Sequence, residues 1–156
     1  MSETENGKYE DILALTWGNI PEPKTLPDGS WELKPRNASY QPGGEGKDGR
    51  VVFFYTPVEP MEDVNLGDLK ALEGYDVSDS DVSATFWIEK KKDWDAVRTH
   101  LSLHGVDVSD DTPLPVSLKA FRKGNNVVGY VTTRSFVAST GQTITQNVAN
   151  QFAAQS

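Results

Sequence analysis

Two histidines, His100 and His104, stand four residues apart, the spacing at which two imidazoles on one helix face can share a metal ion. A metal site needs further ligands, and the chain has no cysteine, no third histidine and no glutamate placed as in HExxH. His104 falls on the apolar stripe of the helix described below, beside Gly105, where it can bond the last carbonyls of that helix. Both histidines are therefore read as structural. The glycine-rich run Gly43-Gly44-Glu45-Gly46-Lys47-Asp48 is the second candidate. A phosphate-binding P-loop needs a glycine four residues removed from the Gly-Lys pair, a following Ser or Thr, and a strand-to-helix setting. Here Gln41 and Asp48 occupy those positions and strands flank the run, so it reads as the mobile tip of a hairpin.

Carboxylates are dense between Pro57 and Asp81, with eight acidic residues against Lys70 alone. A calcium loop starting at Asp76 would need glycine at its sixth position and glutamate at its twelfth, where Asp81 and Trp87 stand. A G-x-S-x-G nucleophile elbow is absent, and no Asp or Glu sits in apolar surroundings of the kind that raise a carboxyl pKa. No enzymatic activity and no cofactor are expected.

What survives is a combination of aromatic and basic side chains on strands. Single-stranded nucleic acid is held by rings that stack on bases and by cations that follow the phosphates. Trp87 lies on the polar face of its strand and is followed by Lys90, Lys91 and Lys92. Tyr130, Arg134 and Phe136 share one face of a later strand, and Trp31, Lys34, Arg36 and Tyr40 lie on the first strand and its exit. These eleven residues form the candidate nucleic-acid-binding set. One face of every barrel strand must fill the core, so about half of the aromatic residues are expected to pack inward.

The elements that position these residues are legible from periodicity. Residues 1–29 carry no sustained pattern, and Pro21, Pro23 and Pro27 forbid a helix over 21–27, so 1–29 reads as an arm laid over a domain at 30–156. Trp31 and Leu33 alternate with Glu32 and Lys34, and Pro35 marks an edge or a bulge. Arg50–Tyr55 reads as a strand apolar on both faces, and Val64–Leu72 holds a short helix. Val82–Glu89 is the cleanest alternation, with Val82, Ala84, Phe86 and Ile88 on one side. A helix capped by Asp93 carries Trp94, Val97, Leu101 and His104 on one stripe and stops at Gly105. A second helix begins at Pro113 and ends by Gly124. Val127–Ala138 and Thr143–Val148 form a final hairpin about Gly141. Five strands interrupted by a helical pair between the third and fourth predict a mainly β, five-stranded OB-like antiparallel barrel, with a small β-sandwich as the alternative.

This order of features resembles the small OB-fold single-stranded-DNA-binding proteins of tailed bacteriophages. The resemblance runs from Leu26-Pro27-Asp28-Gly29-Ser30-Trp31, through the Asp93–Gly105 helix, to Val127–Val131, Gly141 and Asn147-Val148…Phe152. It implies non-specific coating of single-stranded DNA in phage replication or recombination, in the cytoplasm of a host cell, and it is compatible with a homo-oligomer. Members of that group often end in an acidic tail that recruits replication partners. Here the acidic segment is internal, at 57–81, and is the candidate docking element for such proteins.

Length and charge are consistent with these expectations. A chain of 156 residues fits one domain. No apolar run approaches the roughly 18 residues of a membrane helix, and the acidic Met1–Glu10 does not read as a signal peptide, so no membrane partner is expected. The net charge of −8 argues against a polyanionic partner only as a sum. Outside Met1–Asp11 and Pro57–Asp81 the chain holds 13 basic and 11 acidic residues. Two other readings remain open at this level: a viral structural protein that decorates or assembles a capsid, and an inhibitor whose acidic strip mimics DNA.

Overall fold

Five strands can close into a ring only if at least one neighbouring pair runs parallel, because strict alternation of direction needs an even number. The computed structural model, which describes residues 24–155, meets this condition in one place. Strands β1 (Gly29–Gln41), β2 (Gly49–Pro60), β3 (Val82–Ile88), β4 (Val127–Val137) and β5 (Thr143–Ala154) close in the order β1-β2-β3-β5-β4. Four of the pairings are antiparallel, and β3 meets β5 in parallel through Val82↔Asn147 and Ser83↔Val148. The barrel is therefore mixed rather than antiparallel throughout. Its closure excludes the sandwich.

The connection between β3 and β4 carries α2 (Trp94–Leu103) and α3 (Leu114–Ala120), the helical pair expected from periodicity. A shorter helix, α1 (Leu66–Lys70), lies in the connection between β2 and β3, with the Asn65 side chain capping it. Asp93 precedes α2, but its carboxylate turns back to accept from the amides of Glu89 (2.8 Å) and Lys90 (2.9 Å). It ties down the strand-to-helix turn instead of capping α2. These bonds hold its carboxyl below the usual carboxylate range. Gly105 ends α2 at φ 76°, a left-handed conformation that glycine adopts without strain.

β1 bends at two register shifts, between Glu32 and Leu33 and between Pro35 and Asn37. The second is the bulge that Pro35 signalled, since proline cannot donate to a ladder. This bend lets β1 pair with β2 along its length while Gly29–Leu33 also pairs with β4. Inward residues of the strands (Trp31, Leu33, Val51, Phe53, Tyr55, Val82, Val127 and Val131) form the core with Val97, Leu101 and Phe121 from the helical connection.

The barrel extends upstream of the expected domain start. Leu26 is buried, and the Asn147 side chain accepts from its amide (2.8 Å) and donates to its carbonyl (3.1 Å). Residues 24–28 of the expected arm thus belong to the domain, and residues 1–23 lie outside the described residues. No helix among the described residues is long and apolar enough to cross a membrane.

The acidic stretch at 57–81 folds onto the barrel. Val64 enters the core, and Leu69, Leu72 and Val77 pack against it. All eight of its carboxylates face solvent. Asp63 accepts from the amide (3.0 Å) and hydroxyl (2.8 Å) of Ser30, which keeps its carboxyl below the ordinary range.

Candidate nucleic-acid interface

Alternation along a strand decides which aromatic residues can meet a ligand. Trp31 shares its side of β1 with Leu33 and is fully buried, its indole N–H donating to the Pro27 carbonyl (3.2 Å). It cannot stack on a base, which corrects the expectation from sequence. Tyr40 lies opposite the core residue Val51, and its ring packs on Trp94 of α2 with centroids 5.5 Å apart. It is partly exposed, but on the helix-covered end of the barrel and not beside Trp87.

The opposite parity builds an outer face across β1, β2 and β3. Trp87 pairs with Arg50, and Arg50 with Gln41. The guanidinium of Arg50 stands 5.6 Å from the centre of the Trp87 ring, and its Nε donates to the Gln41 side chain (2.7 Å). Trp87 is 56% exposed, more than any other aromatic residue described. The Gly43–Asp48 loop forms the wall of a groove with Trp87 and Arg50, and Lys47 lines it as well. The loop that failed as a P-loop thus lines the groove with one cation, Lys47, and one carboxylate, Asp48.

At the other end of this face the arrangement repeats. Arg36, set outward by the Pro35 bulge, lies 5.7 Å from the centre of the Phe54 ring. Phe54 and Arg50 are four residues apart on β2, about 13 Å along a strand. Lys34 is exposed opposite Thr56 on the same face. Arg36 also pairs with Asp81 at 3.1 Å, both side chains largely in solvent. An exposed pair of this kind is worth about 0–1 kcal/mol, so a phosphate can compete for the arginine.

Lys90, Lys91 and Lys92 are exposed in the turn that follows β3, just beyond Trp87. Tyr130, Arg134 and Phe136 do share one face, the outer face of β4. In the ring, β1 separates β4 from β2, and β5 separates it from β3. The eleven candidates therefore divide. Lys34, Arg36 and Trp87 share a face with the three lysines at its end, Tyr130, Arg134 and Phe136 form a second patch, and Trp31 and Tyr40 serve packing.

Arg50, Phe54 and Lys47 were missed. Arg50–Tyr55 looks apolar on both faces, because Val52 is covered by neighbouring strands although it points outward. The usable signal was the every-other-residue series Arg50, Val52, Phe54, Thr56 set against Trp87.

The two histidines lie inside the barrel, bonded to one phenol. His104 Nδ1 is 2.7 Å from the His100 carbonyl, and since a carbonyl only accepts, that nitrogen carries the proton. His104 Nε2 then accepts from the Tyr55 hydroxyl (2.9 Å), whose oxygen accepts from His100 Nε2–H (2.6 Å). Phe152 closes the cluster, its ring 4.6 Å from that of His100. Burial holds His100 down to about 3, with the neighbouring His104 adding to the effect, and it lowers His104 as well. Burial likewise pushes the Tyr55 phenol well above its ordinary range. These groups are neutral, bonded to one another and remote from the outer face. Their arrangement does structural work, as the sequence led us to expect. No protein-family model matches the chain, and no curated protein matches it in sequence.

Proposed function

We propose that the protein binds single-stranded DNA without sequence preference, along the outer face of β1–β2–β3. The observation that carries this reading is the exposed Trp87 ring with Arg50 beside it, in a groove rimmed by Lys47. A ring open to solvent offers a stacking surface that any base fits, and flanking cations track the phosphates. The Phe54–Arg36 pair about 13 Å away gives the strand a second stacking position. Lys90, Lys91 and Lys92 add exposed positive charge at the Trp87 end. Deployment in phage replication or recombination, with partners docking on the exposed carboxylates of 57–81, rests on the family resemblance.

The test is a titration of tryptophan fluorescence with oligo-dT at several salt concentrations. Binding should quench the signal, and log K should fall against log salt with a slope of about −0.7 for each phosphate contacted. Four to five contacts on this face give a slope of about −3. Fluorescence that does not change at low salt refutes the proposal. Equal binding of a duplex refutes the stacking mechanism.

A further inference from the structure

β4 leaves part of one edge unpaired. It pairs with β5 along its whole length, but with β1 only through Val127–Val131. The opposite edge of Thr132–Val137 therefore meets no strand among the described residues, and it makes no backbone bond to another element. Six free residues are a full strand's length. Proteins normally blunt such an edge with charge, proline or a bulge. None protects the tip of this one: from Ser135 to Ser156 the chain has no Asp, Glu, Lys, Arg or Pro, and the ladder over 132–137 is regular. Phe136 (42%), Val137 (69%) and Ile144 (37%) are exposed there.

We propose that this edge joins two copies of the chain, β4 of one adding antiparallel to β4 of the other. Self-complementarity selects the occupant: Arg134 is the one charged side chain on this edge, and an antiparallel second copy can bring it against the exposed Phe136 ring.

Symmetry then selects the register. A two-fold axis normal to the sheet keeps side chains on their own face, so paired residues share parity and the axis passes through a residue position. Centred on Arg134, the pairing sets one guanidinium against its copy. Centred on Ser135, it sets Arg134 opposite Phe136 of the second copy, twice, and Thr133 opposite Val137. The second register replaces a repulsion with two cation–π contacts and pairs Thr133–Val137, five of the six free residues. The dimer does not depend on DNA binding, since the Trp87 face lies on other strands.

Sedimentation velocity of the full chain across about 2–200 µM tests the dimer by mass action. The weight-average mass should rise from 17.2 kDa toward twice that value. A constant 17.2 kDa overturns the proposal, as does a dimer whose amide-exchange protection lies outside 132–137. Ser135 is exposed, so Ser135→Lys and Ser135→Glu are compatible with folding, which circular dichroism checks. Each variant alone places like charges at the axis and should sediment as a monomer, whereas their equimolar mixture should recover the dimer. A Ser135→Lys variant that dimerises like the native chain, or a mixture that stays monomeric, overturns the register.

Discussion

Lowering the pH from 7 to 5 should destabilise the fold chiefly through His100. Burial holds this imidazole at about 3, whereas in the unfolded chain it titrates near its ordinary value of 6.5. Between those values the unfolded chain binds a proton that the folded one refuses, so stability is fully present above about pH 6.5 and is lost as the pH falls. The loss is about 1.4 kcal/mol per pH unit, or about 2 kcal/mol between pH 7 and pH 5 from this residue alone. His104 is lowered too and adds to the loss in the same direction. Asp63, Asp76, Asp93 and Asp107 also have lowered pKa values, so their contributions are lost only as pH falls below the ordinary carboxylate range, beneath this window. His100→Gln keeps a donor for the Tyr55 oxygen and removes the titration. Urea unfolding followed by tryptophan fluorescence at pH 7 and pH 5 should therefore show a pH dependence smaller by about 2 kcal/mol in the variant. Equal pH dependence in both proteins would refute the reasoning, since it would mean that His100 ionises freely in the folded state.

Trp87→Ala should weaken oligo-dT binding by roughly 1–3 kcal/mol, about 5- to 150-fold, with little change in the urea midpoint. Trp31→Ala should do the reverse, costing about 3–5 kcal/mol of stability while binding per folded molecule is kept. Tyr55→Phe removes the hydroxyl that both histidines bond, and should cost about 1–3 kcal/mol in urea for each of the two buried nitrogens left unpaired. Asn147→Ala strips both backbone partners from buried Leu26 and should cost about 1–3 kcal/mol for each group, with amide exchange at Leu26 rising.

Much of the barrel is readable from the chain because strand alternation is set by burial on one face. Val82–Ile88 displays it cleanly, and the stripe Val97, Leu101, His104 marked the buried side of α2. The parallel contact of β3 with β5 was hidden, since it pairs residues 65 positions apart through two register positions only. The extent of β5 was underestimated for a related reason. Beyond Val148 the strand bulges, Gln151 takes φ 52°, and Phe152 turns toward His100, which breaks the alternation that marks a strand.

For the candidate interface, the chain alone determined the residue types: an aromatic on a polar strand face, a lysine run after it, and a glycine-rich hairpin tip rather than a nucleotide loop. It also located the acidity in the segment at 57–81. Tertiary structure alone decided which rings are available. Trp31 and Trp87 both alternate with charged or polar neighbours, so local pattern treats them alike. One points into the ring of strands and the other away from it, and inside and outside exist only once the sheet has closed. Closure likewise set Arg50 beside Trp87 and Arg36 over Phe54, and carried the β4 patch to another side of the barrel. Sequence fixes the face of a strand on which a side chain lies, but contacts between strands distant along the chain depend on register, and register is settled by packing the whole core.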